Sequence, residues 1–177
     1  MCGIVGYIGF NQASDFLLDG MAKLEYRGYD SAGIAVIGPE NVIKIQKKVG
    51  RLANLEAIVK ADPNEGTVGI GHTRWATHGE PSQTNAHPHV SGNCTRSGSG
   101  TVESEVVGVH NGIIENYLEI KERLTNKGFT FVSQTDTEVL AQLLDYYYMG
   151  ESAGDPLDAI ARTMLHVRGS YAVSYTH

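Results

Sequence analysis

The chain contains few cysteines, no long hydrophobic run and no excess of basic residues. Its two cysteines, Cys2 and Cys94, are too few for a disulfide framework, so each must serve packing or chemistry. No segment approaches the ~18 consecutive apolar residues that a membrane helix needs. The net charge of −6, with no basic stripe or helix, argues against nucleic acid or an anionic membrane as the main partner. These absences favour a small-molecule ligand.

The start and the length of the chain indicate where the protein is located and how many domains it has. Met1-Cys2-Gly3 lacks the basic stretch and the cleavage site of a secretory signal, which predicts a cytoplasmic protein. A length of 177 residues and a hydrophobic content of 41% suit one globular domain, residues 1–177, with a continuous core. Helix and strand patterns are mixed without regular βαβ alternation, which favours an α+β fold.

Hydrophobic periodicity and capping signals predict the elements. Helices are expected over 12–25, 51–60, 112–127, 135–144 and 156–167. Strands are expected over 2–10, 33–37, 42–49, 67–72, 106–110, 129–133 and 170–176. The polar, histidine-rich segment 73–91 has no clear period and is predicted to be a long ordered loop. The Gly/Ser-rich segment 92–105 is predicted to be a mobile hairpin tip.

Cys2 is a candidate nucleophile because of its position. Removal of Met1, which the small Cys2-Gly3 start permits, would give Cys2 a free α-amine. Such an amine has a pKa of about 7.7–8.0 and can accept the thiol proton, directly or through water. If Met1 stays, the same nitrogen is an amide without a basic lone pair. The alternative is that Cys2 is a small buried hydrophobe at the start of a strand.

Four other residues could complete an acyl-transfer site for an amino acid. Asn111 and Gly112 offer a side-chain amide and an unhindered backbone N–H for an oxyanion, although Asn-Gly is also a common turn dipeptide. Arg74 could bind an α-carboxylate through two hydrogen bonds, and Asp136 could bind an α-ammonium group. A plain helix cap is the alternative role of Asp136.

Several histidines and a cysteine raise the question of zinc. Their spacings match no compact zinc pattern, and no CxxC is present. We therefore expect no metal and no cofactor, and we expect these side chains to form hydrogen bonds; they are His72, His78, His87, His89 and Cys94.

Five ordered blocks of sequence resemble a known family. They are CGIVGYIG at 2–9, LEYRGYDSAGIA at 24–35, GHTRWATHGEPSQTNAHPH at 71–89, HNGIIENY at 110–117 and QTDTEVLA at 134–141. Together they resemble the glutaminase domain of class II glutamine amidotransferases. Among these, TRWATHG and YRGYDSAG are similar to the glutamine:fructose-6-phosphate aminotransferases rather than to the amidophosphoribosyltransferases of purine synthesis.

The resemblance implies an N-terminal-nucleophile fold of four αββα layers, with two antiparallel sheets between helical layers. It implies that Cys2 is the nucleophile, that Asn111 and Gly112 form the oxyanion hole, and that Arg74 and Asp136 bind the glutamine carboxylate and ammonium groups. It adds Arg27 near the nucleophile and four residues around the glutamine. These are Trp75 on a covering loop, Thr77, His78 and His87.

The implied reaction is hydrolysis of the side-chain amide of L-glutamine to glutamate and ammonia through a Cys2 thioester. In the family, sugar-isomerase domains use the ammonia to convert fructose 6-phosphate to glucosamine 6-phosphate, and the full-length enzyme is expected to be a homo-oligomer. Those domains are absent here, and the family's glutaminase domain continues past a point like His177, so a truncated piece is expected. The 92–105 tip is also longer than the family pattern.

Two other interpretations remain open. The chain could be a non-catalytic glutamine-binding or assembly fragment, inactive through retained Met1 or truncation. It could also be the glutaminase domain of a different class II amidotransferase.

Overall fold

Two antiparallel sheets form the centre of the molecule. The computed structural model describes residues 2–76, 79–91, 101–102 and 106–176. Within them, the first sheet has the order β1-β4-β2-β3-β6, with strands β1 Gly3–Ile8, β2 Ser31–Ile37, β3 Ile43–Val49, β4 Val68–Arg74 and β6 Thr101–Val102. The second has the order β5-β7-β8, with strands β5 His89–Val90, β7 Val107–Ile114 and β8 Gly169–Thr176.

Helices cover the outer face of each sheet. The first sheet is covered by α1 Ala13–Ala22 and α2 Leu52–Ala61, and the second by α3 Tyr117–Thr125, α4 Asp136–Met149 and α5 Pro156–His166. Short 3-10 turns lie at Glu25–Arg27 and Pro39–Asn41. None of the helices in the described ranges is long and apolar enough to cross a membrane.

Three apolar clusters separate the layers. Leu17 and Met21 of α1 are fully buried against Ile34 and Val36 of β2, and each such side chain contributes about 1.5–3 kcal/mol by leaving water. A second cluster joins α3, α4 and α5 to the outer face of the second sheet. The third joins the sheets face to face, through Ala35, Ile43, Ile70, Val107 and Val109. The α+β fold of four αββα layers is therefore confirmed.

The predicted strand over 129–133 is wrong. Phe129 and Phe131 pack against the cluster beneath α4, as apolar residues of a strand would. However, the N–H groups of Val132 and Ser133 donate to the carboxylate of Glu138, at 2.8 and 2.6 Å, instead of to a neighbouring strand. A side chain satisfies the backbone here, so no sheet pairing is needed.

The boundary between β7 and α3 also differs from the prediction. The helix predicted over 112–127 begins only at Tyr117, because Asn111 and Gly112 remain in β7 and pair with Ala172 and Tyr171 of β8. The loop predicted over 73–91 is shorter than expected, because both of its ends lie in strands. Its first two residues extend β4, and its last part contains β5.

The predicted hairpin tip over 92–105 lies mostly outside the described residues. The exception is Thr101–Val102, which pairs with Lys44 and Ile43 of β3. The other predicted helices and strands are present with shifted ends.

The start of α4 is held by a buried polar cluster. Thr135 is the N-cap, and its Oγ1 accepts a hydrogen bond from Glu138 N at 3.4 Å. The Glu138 carboxylate in turn accepts from Val132 N, from Ser133 N and, at 2.6 Å, from Ser133 Oγ. Together, the hydrogen bonds of Thr135 and Glu138 fix the position of Asp136 and Thr137 in the first turn of α4.

We expect Glu138→Gln to lower the free energy of unfolding by about 2 kcal/mol, because one of the buried donors loses its charged acceptor. Urea denaturation followed by circular dichroism measures this change. The matched control is Glu122→Gln on the exposed face of α3, which should change stability by less than about 0.5 kcal/mol. Equal stabilities of the two variants would contradict the role given to Glu138.

Candidate active site

A cavity of about 610 Å³ opens where both sheets meet the start of α4. Every predicted site residue in the described part of the chain lines it: Cys2, Arg27, Arg74, Trp75, His87, Asn111, Gly112 and Asp136. The two remaining predicted residues, Thr77 and His78, lie outside the described residues. The other lining residues were not among the predicted ones; they are His110, Ile113, Thr135, Thr137, Ser170, Tyr171 and Ala172.

Cys2 precedes β1 and presents its thiol to this cavity. Its Sγ accepts a hydrogen bond from the backbone N–H of Trp75 at 3.2 Å. Burial raises the pKa of the Cys2 thiol, and the Trp75 hydrogen bond and the nearby Arg74 charge oppose that rise only in part. The thiol is therefore protonated at neutral pH, and a thiolate at this position needs a base.

Asn111 and Gly112 lie inside β7, so the turn interpretation of this dipeptide is wrong. The Asn111 side chain donates from Nδ2 to the carbonyl oxygen of Cys2 at 3.2 Å. Gly112 has a φ of 125°, and a Cβ there would lie 2.2 Å from the carbonyl oxygen of Ser170 in β8. Only glycine allows this conformation and this close pairing.

Arg74 and Asp136 bring opposite charges to the cavity. Arg74, at the end of β4, is buried and donates from one guanidinium nitrogen to the carbonyl oxygen of Gly79 at 3.0 Å. Asp136 is the first residue of α4 and accepts from the N–H of Ile114 at 3.0 Å. Because Thr135 is the N-cap, the capping role considered for Asp136 is not needed. Asp136 therefore lies in the first turn of α4, at the positive end of the helix dipole.

His87 is held against the first sheet by two features. A Cβ on Gly33 of β2 would lie 2.1 Å from the carbonyl oxygen of His87, so glycine permits the close approach of this segment. The buried ammonium group of Lys47 donates to the carbonyl oxygens of Ala86 and Pro88, at 2.8 and 3.1 Å. The segment 86–88 is therefore ordered although it belongs to no helix or strand.

A chain of hydrogen bonds runs behind the cavity. His72 Nε2 lies 2.9 Å from Asn111 Oδ1, and His87 Nδ1 lies 3.0 Å from His72 Nδ1. Thr137 Oγ1 lies 2.8 Å from His87 Nε2 and 3.1 Å from His110 Nδ1. The position of His72 two residues before Arg74 was a usable signal, because strand residues two apart share a face. Thr137 has no comparable signal in the sequence.

These histidines are neutral because they are buried. Burial lowers the pKa of His72 to about 3 and lowers the pKa of His87 and His89 well below 6.5, with neighbouring positive charges adding to the effect. Burial also lowers the pKa of His110, although the Asp136 carboxylate opposes that shift. Their ring nitrogens therefore act as a mixture of donors and acceptors.

Trp75 lies at the mouth of the cavity, with 47% of its surface exposed. Its ring meets the edge of Tyr29 at a centroid distance of 5.4 Å. The Asp30 carboxylate accepts from Ala76 N, just after Trp75. Both contacts tie this part of the rim to the segment that precedes β2.

Comparison with solved structures shows to which class of enzymes the fold and the cavity belong. The chain matches glutamine phosphoribosylpyrophosphate amidotransferase from B. subtilis with a TM-score of 0.78 and 26% identity, over 99% of this chain and 35% of that one. An allosteric regulatory enzyme of purine biosynthesis matches with a TM-score of 0.80 and 26% identity, over the same shares. A family profile described as "Glutamine amidotransferase domain" matches residues 98–177. Fold and cavity thus define a glutamine amidotransferase domain of the N-terminal-nucleophile class.

Comparison with curated relatives shows which family of glutamine amidotransferases the chain belongs to. Glutamine–fructose-6-phosphate aminotransferase [isomerizing] of Clostridium perfringens is 53% identical over 173 residues, which are 98% of this chain and 26% of the relative. The same enzyme of Thermus thermophilus is 52% identical over 177 residues, 100% of this chain and 27% of the relative. The chain belongs to the glutaminase domains of this aminotransferase family. It spans about a quarter of the length of these curated relatives.

The buried histidines predict a pH dependence of stability. Their folded-state pKa values lie below 6.5, so the unfolded chain binds more protons than the folded one once the pH falls below 6.5. The free energy of unfolding is therefore highest above that pH. It decreases as the pH falls from 6.5 toward the folded-state pKa, by up to about 1.4 kcal/mol per histidine and pH unit. Urea titrations between about pH 8 and pH 5 measure this slope.

The matched variant is His89→Gln, which removes one of these groups. Between about pH 6 and pH 5 its slope should be smaller than that of the wild type by about 1 kcal/mol per pH unit. Above about pH 7.5 the two slopes should agree, because His89 is then neutral in both the folded and the unfolded wild-type chain. Equal slopes in the acidic range would contradict the burial of a neutral His89.

Proposed function

We propose that this chain is a glutaminase, which releases ammonia from the side-chain amide of L-glutamine with Cys2 as the nucleophile. The observation that carries the proposal is the convergence of four groups on one cavity. A thiol, an amide donor, a guanidinium and a carboxylate meet there, supplied by Cys2, Asn111, Arg74 and Asp136. The cavity therefore holds the groups that an amino-acid amide requires.

The first step is attack on the amide. Once Met1 is removed, the α-amine of Cys2 accepts the thiol proton, which the raised thiol pKa makes necessary. The thiolate then bonds to the carboxamide carbon, and the carbonyl oxygen becomes an oxyanion. Asn111 Nδ2 and the Gly112 N–H donate to this oxygen, and such donors stabilise the transition state more than the bound substrate.

The second step releases ammonia. The proton held by the α-amine passes to the amide nitrogen, the carbon–nitrogen bond breaks, and a glutamyl thioester remains on Cys2. Water then adds to the thioester, and cleavage of the carbon–sulfur bond regenerates the thiol. Glutamine and water thus give glutamate and ammonia.

Recognition of the substrate follows from the two charges. Arg74 binds the α-carboxylate, and Asp136 binds the α-ammonium group. Arg27, Trp75 and His87 line the same cavity. In this proposal Arg27 acts beside the nucleophile, and Trp75 and His87 surround the glutamine side chain. The roles given to Thr77 and His78 stay predictions. Closure over the substrate would exclude water and retain ammonia.

We also propose that residues 1–177 belong to the glutaminase domain of a longer protein, as a piece that lacks the C-terminal part of that domain. The named relatives are glutamine–fructose-6-phosphate aminotransferases, and this chain corresponds to about a quarter of their length. In such a protein, sugar-isomerase domains would receive the ammonia and convert fructose 6-phosphate to glucosamine 6-phosphate, within a homo-oligomer. The second candidate is a non-catalytic glutamine-binding fragment, which a retained Met1 would produce because Cys2 would then lack a free α-amine.

The processed protein should form glutamate and ammonia in equal amounts from glutamine. Cys2→Ala should lower the rate by at least about 1,000-fold, because the nucleophile is lost. A coupled glutamate assay, with intact mass to verify removal of Met1, measures both. Protein that retains Met1 should also be inactive, and Cys94→Ala serves as the thiol control. Processed wild-type protein that forms no glutamate would favour the non-catalytic candidate.

Asp136→Asn should raise the KM for glutamine by about 10- to 100-fold and leave kcat within about threefold, because it removes the charge that binds the α-ammonium group. The variant keeps an oxygen that can accept from Ile114 N, so α4 should keep its place. Steady-state kinetics test the change. Glutaramate, which lacks the amino group, should be cleaved equally by wild type and variant, and a preference for either protein would argue against this role.

A further inference from the structure

We propose that His72 is a positioning residue that holds the Asn111 amide with Nδ2, and not Oδ1, toward the oxyanion. The inference rests on the proposed glutaminase function, because it concerns the same reaction. His72 lies in β4 of the first sheet and is fully buried, whereas Asn111 lies in β7 of the second. Their contact is thus a polar link between the two sheets.

Two neighbouring acceptors determine the direction of this link. His72 Nε2 lies 3.2 Å from the carbonyl oxygen of His110, which can only accept, so Nε2 must carry the hydrogen. The Asn111 atom that lies 2.9 Å from the same nitrogen must then be the acceptor, Oδ1. At its other end, Asn111 faces the carbonyl oxygen of Cys2 at 3.2 Å, which requires a donor. Both ends therefore require the same orientation of the amide.

The orientation matters because the amide has two unlike ends. After a half-turn of the Asn111 amide, Nδ2 would face the N–H of His72, and Oδ1 would face the carbonyl oxygen of Cys2. Two donors would then face each other, and so would two acceptors, in a partly buried region where unsatisfied groups are costly. The oxyanion would also meet a carbonyl oxygen instead of an N–H. His72 disfavours this inactive arrangement.

Neighbouring side chains hold the His72 ring in place. The ring is neutral, since burial lowers its pKa to about 3. His87 meets it edge-on, with an interplanar angle of 86° and ring centroids 4.0 Å apart. His87 is fixed in turn by Thr137 of α4, at 2.8 Å. The orientation of Asn111 therefore depends on packing from both sheets and from α4.

A pair of amide substitutions that differ by one methylene tests the inference in the full natural protein, processed at Met1. The Nε2 of Gln in His72→Gln reaches the place of the imidazole Nε2, whereas the amide of His72→Asn is one methylene too short. We expect kcat within about threefold of wild type for His72→Gln and a loss of roughly 30-fold or more for His72→Asn. The KM for glutamine should change by less than about threefold in both, because substrate binding does not use this amide.

Two further measurements separate positioning from simple core packing. Alkylation of Cys2 by iodoacetamide forms no oxyanion, so its rate should be equal in wild type and both variants. In an Asn111→Ala background, His72→Asn should lower kcat no further, because His72 acts through Asn111. The matched control is the same pair of substitutions at His89, which is equally buried but bonds to Thr135 Oγ1, at 3.0 Å. Its two variants should have similar kcat values.

The inference is overturned if His72→Asn keeps the wild-type kcat, or if it lowers kcat by the same factor when Asn111 is already alanine. Parallel losses of kcat and of alkylation rate would indicate general damage and would also overturn it. A wild-type enzyme that forms no ammonia would instead refute the proposed function. In that case, NMR contacts between the Asn111 amide hydrogens and Cys2 should be present in the wild type and lost in His72→Asn, and their absence from the wild type would overturn the inference.

Discussion

The face-to-face contact of the two sheets is the interaction on which the rest of the molecule depends. Ala35 and Ile70 of the first sheet pack on Val107 and Val109 of the second, and this apolar layer sets the distance between β4 and β7. The site lies at one end of the layer, where apolar contacts give way to polar ones. The groups of the site are far apart in sequence, and this packing helps to bring them to one cavity.

The polar end of the layer lowers the stability of the fold, but it positions the groups of the active site. Four histidines are buried there, and each must remain uncharged, because burial penalises the protonated form. Such groups are tolerated in a core only when their donors and acceptors are matched. Thr137 partners one nitrogen of each of two rings, those of His87 and His110, since one hydroxyl can accept from one ring and donate to another. The cluster contributes orientation rather than stability.

Local signals predicted those parts of the site that local structure determines. The capping signal at the start of the predicted helix 135–144 corresponds to the Thr135 N-cap in the structure, and Asp136 lies in the first turn of α4. By contrast, the Asn111-Gly112 dipeptide has the composition of a turn, and its place in β7 depends on pairing with β8, about sixty residues further along. No local pattern reports such a pairing. The failed strand over 129–133 has the same cause, because strand-forming residues need a partner strand.

The link between Gly112 and Ser170 also determines when the site can exist. Ser170, Tyr171 and Ala172 form part of the cavity wall, and β8 is the last strand of the described chain. During synthesis, Cys2 is added at the start of the chain, and Ser170, Tyr171 and Ala172 are added more than 160 positions later. A nascent chain therefore carries its thiol for most of its synthesis without the wall that shapes the cavity beside it. The order of the strands along the chain delays completion of the cavity wall until Ala172 has been made.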